Sequence, residues 1–324
     1  MANDNGYILT AMDWRGMSKF DLPVVMKVML GEPNLFGAIC DNIVQGFANK
    51  LALQHFSANH LLKMDWLMFE HSKIPLWHYG KTPARVFYGI SQGGILGTLN
   101  ICKQLEATGR YSHSSKSASF GHSGAGYTAL SGPTKLIDRA VLGVPGTPFA
   151  LVMSRSLDFI TYDMLLLLSF YNNRHVRIFL SLMQMGWDSV EASGLLAPPV
   201  NEQYPRLLLQ AGLGDPVVPT SSAEALARAL GAKTLPNNPR QIFGISASQP
   251  SNQTWMGPDV TLTEVLYEKE YTMLPKDDMF GPTNNVHICV RLDKQLQHQL
   301  TEFVNSDRII DPCKEDECRR NTTC

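Results

Sequence analysis

Charge of either sign is scarce in this chain. Lys and Arg number 28 against 29 Asp and Glu, a formal net charge of −1 over 324 residues. Binding a phosphate backbone needs Lys and Arg clustered on one face, so nucleic acid is excluded as an expected partner. Long apolar runs are missing too. The longest, Met164 to Leu168 among them, fall far short of the roughly 20 residues that cross a bilayer, and no transmembrane segment is expected. The opening stretch, MANDNGYILT, has neither the basic nor the apolar part of a signal peptide. Cysteine is sparse, with six residues. Cys40, Cys102 and Cys289 stand in apolar contexts and read as buried thiols. Cys313, Cys318 and Cys324 belong to a polar tail, residues 312–324, where a Cys313–Cys318 disulfide would form in an oxidising compartment. Neither a histidine nor a fourth cysteine stands near enough to complete a zinc site. No metal or cofactor is expected, and no internal repeat is visible. These absences leave localisation and oligomeric state open.

What is present, 44% hydrophobic against 18% charged residues, is enough for one sizeable core. The pattern suggests a single α/β domain over 1–324. Tyr7 to Trp14 reads as a buried strand, followed by the turn Arg15-Gly16-Met17-Ser18. Leu35 to Phe69 carries apolar residues at helical spacing and suggests two helices. Arg85 to Ile90, Arg139 to Val144 and Arg206 to Ala211 read as short buried strands, and Gln241 to Ile245 as the next. Ser221 to Leu230 reads as a helix with Thr220 or Ser221 as its N-cap, and Leu292 to Val304 as a terminal amphipathic helix. Strands alternating with helices predict a mostly parallel sheet with helices on both faces. Two segments interrupt the rhythm. Phe159 to Met185, rich in Leu, Phe and Met, reads as a helical pair inserted after the third visible strand. It is either ordinary core or, over about 150–200, a cap above an apolar pocket. Thr98 to Gly124 turns Ser-rich in its second half and reads as a polar insert, although Ile101 to Leu105 would also extend a preceding helix.

The stretch RVFYGISQGGILG, Arg85 to Gly97, carries the chemical signal. A serine with glycines two positions to either side suits a sharp strand-to-helix turn. Such a turn exposes the hydroxyl at the top of a sheet and aims the next backbone N–H at whatever it attacks. A solvated serine in a Gly-rich turn is the plain alternative. A nucleophilic serine needs a base and a carboxylate to orient it. Asp215, in Gly214-Asp215-Pro216 directly after a strand, is the candidate carboxylate; alternatively it only builds its own turn. Of nine histidines, His287 stands out, because Asn284-Asn285-Val286-His287 is a loop opening toward the last helix. Gly121-His122-Ser123-Gly124-Ala125 mimics an esterase motif but follows no strand, so Ser123 reads as a decoy.

In the order Ser91, Asp215, His287, these residues resemble the α/β-hydrolase superfamily, whose nucleophile, acid and histidine follow one another along the chain. YGISQGGILG is similar to its nucleophile elbow, GLGDPVVP to its acid turn, NNVH to its histidine loop, and Asp13 to Gly16 to its Asp-x-Arg-Gly turn. The resemblance implies a serine hydrolase acting on a carboxylic ester with an apolar acyl part, lipase- or esterase-like, with the Gln92 backbone N–H as an oxyanion donor. A non-catalytic binding relative and a serine peptidase are the competing expectations. In the family the Asp-x-Arg-Gly strand is commonly the fourth, and a second oxyanion donor follows the third. Relative to that pattern the chain is expected to be truncated at its N-terminus.

Overall fold

In the computed structural model, which describes residues 2–68, 83–107, 136–196, 205–248, 259–270, 283–313 and 318–321, short apolar runs build a parallel sheet. Its strands are β1 (Val86–Ile90), β2 (Arg139–Gly143), β3 (Arg206–Gly212), β4 (Lys233–Thr234), β5 (Val260–Tyr267) and β6 (Arg319–Arg320). The order is β1-β2-β3-β5-β4, with β6 also paired to β5, and every pairing is parallel. Leu207, Leu208 and Leu209 of β3 are wholly buried, so the sheet is covered on both sides. Consecutive strand residues face opposite ways, and the packing follows that alternation. Leu207 and Leu209 share a cluster with Ile101 and Leu226, whereas Leu208 packs with Leu300 and Phe303.

The helices supplying those contacts run in chain order. α1 (Ala2–Asn5), α2 (Leu22–Met29) and α3 (Phe36–Asn59) precede the sheet, and α4 (Gln92–Ala107) follows β1 directly. α5 (Phe149–Met153), α6 (Ile160–Phe170), α7 (Asn173–Trp187) and α8 (Ala192–Leu195) lie between β2 and β3. α9 (Thr220–Ala229) follows β3, and α10 (Val286–Leu292) and α11 (Lys294–Ser306) come after β5.

The α/β class, the parallel sheet, the three strands around Val86, Arg139 and Arg206, and the helical pair after Val144 are as expected. Several details differ. Tyr7 to Trp14 is irregular and largely solvent-facing, not a buried strand. The helical pair therefore follows the second strand of the sheet. Where two helices were expected over Leu35 to Phe69, the described residues form one long helix, α3, followed by 3₁₀ turns at Leu61–Lys63 and Asp65–Leu67, and Phe69 lies outside the described residues. Gln241 to Ile245 contributes only an isolated bridge between Ile242 and Ile245, and the strand beside β3 is β5. Thr220 is the first residue of α9, with Pro219 before it, so neither Thr220 nor Ser221 is its cap. Leu292 to Val304 splits at Asp293, whose Oδ1 accepts from the N–H groups of Gln295 (2.8 Å) and Leu296 (3.1 Å) and so starts α11 afresh.

The expected insert does not begin at Thr98. α4 continues to Ala107, and Thr98 to Cys102 are buried. The Ser-rich remainder, with Ser123, lies outside the described residues. In the tail, Cys313 and Cys318 form a disulfide, and Cys40 and Cys102 are buried. Cys289 is disulfide-bonded rather than a free thiol.

Candidate active site

Ser91 sits where β1 becomes α4. Its N–H donates to the Gly143 carbonyl on β2 (2.8 Å), which extends the sheet by one bond. Its own carbonyl accepts from Gly94 (2.8 Å) and Ile95 (3.0 Å), which starts the helix. Serving both elements at once forces a φ of 58°. For a non-glycine residue that left-handed conformation costs on the order of 1–3 kcal/mol and tends to persist where the surroundings over-determine it.

The turn is so tight that a Cβ on Gly89 would stand 2.1 Å from the Gly93 carbonyl oxygen. Gly89 is therefore glycine for space. Gly93 is not: a Cβ there would meet nothing within 4 Å among the described residues. Gln92 opens α4, so its N–H has no acceptor one turn back within the helix.

Asp215 is delivered by the loop after β3. It is 4% exposed, and a buried carboxylate must have its oxygens satisfied. Oδ1 accepts from the N–H groups of Val217 (2.8 Å) and Val218 (3.0 Å), which folds the Asp-Pro-Val-Val turn back on itself. Oδ2 lies 2.8 Å from His287 Nδ1. An ionised carboxylate can only accept, so in this pair Nδ1 carries the proton and the lone pair of neutral His287 is on Nε2. Asp215 thus both builds its own turn and engages the histidine, and the two readings of it are complementary.

His287 is the second residue of α10, which packs on the end of β3. A Cβ on Gly212 would be 2.4 Å from the Val286 side chain, so helix and strand touch there. Asn284 locks the two loops together. Its amide donates to the Gly214 carbonyl (2.9 Å), and its Oδ1 accepts from the Val286 N–H (3.0 Å). In the sequence Asn284 stands out only as part of the histidine loop. An Asx-type side chain two residues before a helix start was the available signal. Thr220 does the same for the other side of the acid loop: its hydroxyl accepts from the Gly214 N–H (3.1 Å) and donates to the Gly212 carbonyl (2.8 Å).

All three candidates follow C-terminal strand ends or pack against them, at one edge of the sheet. Ile90, one residue before Ser91, packs against the cluster holding Val286, Cys289 and Val290 of the histidine helix. Asp215 and His287 are hydrogen-bonded, whereas the Ser91 hydroxyl makes no hydrogen bond to His287 among the described residues. Of the other histidines, His175 and His298 are exposed on helices, and His71, His78, His113 and His122 lie outside the described residues.

The inserted helices reach the same edge, since Leu157 N–H donates to the Pro216 carbonyl (2.9 Å) beside Asp215. Among the described residues one cluster has metal-ligand character, Asp311 with Cys313 and Cys318, but its sulfurs are joined to each other and are not free thiolates. The arrangement offers a carboxylate-oriented imidazole, a serine on a strained turn and an open helix N-terminus. Such a set suits transfer of an acyl group through a serine. The architecture is compatible with an α/β-hydrolase fold. Compared with known proteins, the chain matches no family model, no curated protein and no solved structure.

Proposed function

We propose that this protein is a serine hydrolase acting on a carboxylic ester with an apolar acyl part. The observation that carries the reading is the buried Asp215–His287 hydrogen bond of 2.8 Å at the sheet edge where Ser91 is held at positive φ. In this reading His287 Nε2 takes the Ser91 Oγ proton as Oγ attacks the ester carbonyl carbon. Asp215 keeps the ring in the productive tautomer and stabilises the imidazolium. The Gln92 N–H donates to the carbonyl oxygen as it gains negative charge, an interaction whose loss typically costs about 10²–10³ in turnover. The alkoxide leaves with the proton from His287, and an acyl-serine remains. Water, deprotonated by the same imidazole, attacks that ester, releases the acid and restores Ser91. The apolar insertion bordering Pro216 suits the acyl part better than a charged substrate.

A second reading, a hydrolase-fold binding protein without turnover, is favoured by the missing hydrogen bond between Ser91 and His287. Labelling with a fluorophosphonate, together with hydrolysis of a short activated ester, separates the two. The catalytic reading expects labelling of the parent protein, loss of both signals in Ser91→Ala, and a fall in turnover on the order of 10³–10⁴ in Asp215→Asn. Ser123→Ala should leave both signals intact. A folded parent protein that neither labels nor turns over would establish the binding reading instead.

A further inference from the structure

The helical pair buries one face and leaves the other bare. Leu166 of α6 and Val176, Leu180 and Met183 of α7 belong to a single core cluster. Both helices therefore lie side by side on the same support, with their opposite faces turned away from it. Those outer faces are not polar. Met164 and Leu168 on α6, Tyr171 at the turn, and Ile178, Leu182 and Met185 on α7 are 50% to 88% exposed. Each set recurs at the three- and four-residue spacing of one helix stripe. Isolated exposed leucines are ordinary, but two adjoining stripes of this length are what a soluble surface avoids unless something covers it.

The chemistry around the stripes says what. The exposed ionic side chains of these two helices are Arg174, His175 and Arg177, all basic, and their one acidic residue, Asp163, is buried. This basic tip stands on a chain whose net charge is −1. Ser169 and Ser181, which interrupt the apolar positions, each donate their hydroxyl to a carbonyl one turn back on their own helix, Leu165 (3.4 Å) and Arg177 (2.8 Å). A face whose hydroxyls are already engaged offers little for directional contact with another protein and suits a fluid apolar phase. A second copy packed face to face would oppose Arg174 and Arg177 with their own kind, which is unfavourable. Apolar stripes bounded by basic residues, with an amphipathic Tyr at the turn, match the interface of an anionic bilayer.

We infer that the outer face of α6 and α7 docks this protein onto the surface of anionic phospholipid membranes. No helix among the described residues is long and apolar enough to cross one, so the mode is peripheral. The inference stands independently of the chemistry at Ser91, and the test uses full-length Ser91→Ala beside the parent protein so that lipid turnover cannot confuse it. Flotation with phosphatidylcholine vesicles containing phosphatidylserine should carry both proteins. Vesicles of phosphatidylcholine alone should bind at least about tenfold less, and binding should fall as salt screens the basic tip. Replacing Leu168 and Leu182 by Ser should weaken binding about tenfold or more while the melting temperature holds. Arg174→Glu with Arg177→Glu should abolish the preference for the anionic lipid. Failure to float with either vesicle would overturn the inference. So would equal binding by the variants, or a dimer in sedimentation that the Leu replacements dissociate.

Discussion

At the scale of single residues, the two glycines flanking Ser91 make the sharpest test of the turn. Spacing alone treats Gly89 and Gly93 as equivalent, since both satisfy the Gly-x-Ser-x-Gly pattern. The geometry separates them, because a methyl group on Gly89 meets the Gly93 carbonyl at 2.1 Å and one on Gly93 meets open space. Gly89→Ala must push strand and helix apart and should destabilise the protein by roughly 1–3 kcal/mol or more, with loss of any activity that depends on Ser91. Gly93→Ala should raise the melting temperature slightly, since alanine in a helix is favoured over glycine by up to about 1 kcal/mol. Thermal melts of the two variants check this, and equal destabilisation by both would show that the turn is held differently. The pairing of Asp215 with His287 was legible because strand ends announce themselves by composition and order does the rest. Asn284 was not, because a side-chain amide that ties two loops together has no periodicity to betray it.

At the scale of elements, the misreadings share a cause. β5 was missed, although the alternation of apolar residues with Thr in VTLTEVLY is the pattern of a half-exposed strand. Here it is covered on both faces, and Thr261, Thr263 and Glu264 are all buried. Tyr7 to Trp14 reads as a strand on β-loving residues, but they pair with no strand among the described residues. The start of the polar insert was misplaced for a related reason. α4 changes from apolar to polar gradually, so composition could not mark where the insert begins, whereas the burial of Thr98 to Cys102 places those residues in the core. Joining Gly97 to Ala125 should therefore abolish folding rather than leave stability unchanged. A gentler test replaces Leu99 or Ile101, 2% and 1% exposed, with Ala. Each should cost roughly 2–5 kcal/mol in urea unfolding. A change below about 0.5 kcal/mol at both positions would mean that the helix ends before Thr98.

At the scale of the whole molecule, the class of fold was legible and the order of strands was not. Hydrophobic periodicity says which segments are strands, but neighbour choice depends on long-range packing, and β5 takes the place between β3 and β4. That central position has a consequence for global stability. Glu264 of β5 is wholly buried, and burial pushes its carboxyl from the ordinary 4.5 up to about 6, although the Arg240 guanidinium, 3.3 Å away at Nε, pulls it back down. Glu224, which also pairs with Arg240, adds to the rise. Below pH 4.5 the carboxyl is protonated in both folded and unfolded chains, so its titration contributes nothing to the pH dependence. Between 4.5 and 6 the folded chain holds more of that proton than the unfolded chain, and stability must fall as pH rises. Above 6 the full cost, about 2 kcal/mol for a shift of this size, remains. Glu264→Gln keeps the shape of the side chain and removes its titration. Relative to that variant, the parent protein should lose on the order of 2 kcal/mol in urea unfolding free energy between pH 4 and pH 7. Other titrating groups are common to both proteins and cancel in the difference. Parallel pH profiles would show that Arg240 fully offsets burial and leaves the Glu264 carboxyl at its ordinary 4.5, and a parent protein that gains stability relative to the variant as pH rises would show Arg240 outweighing burial.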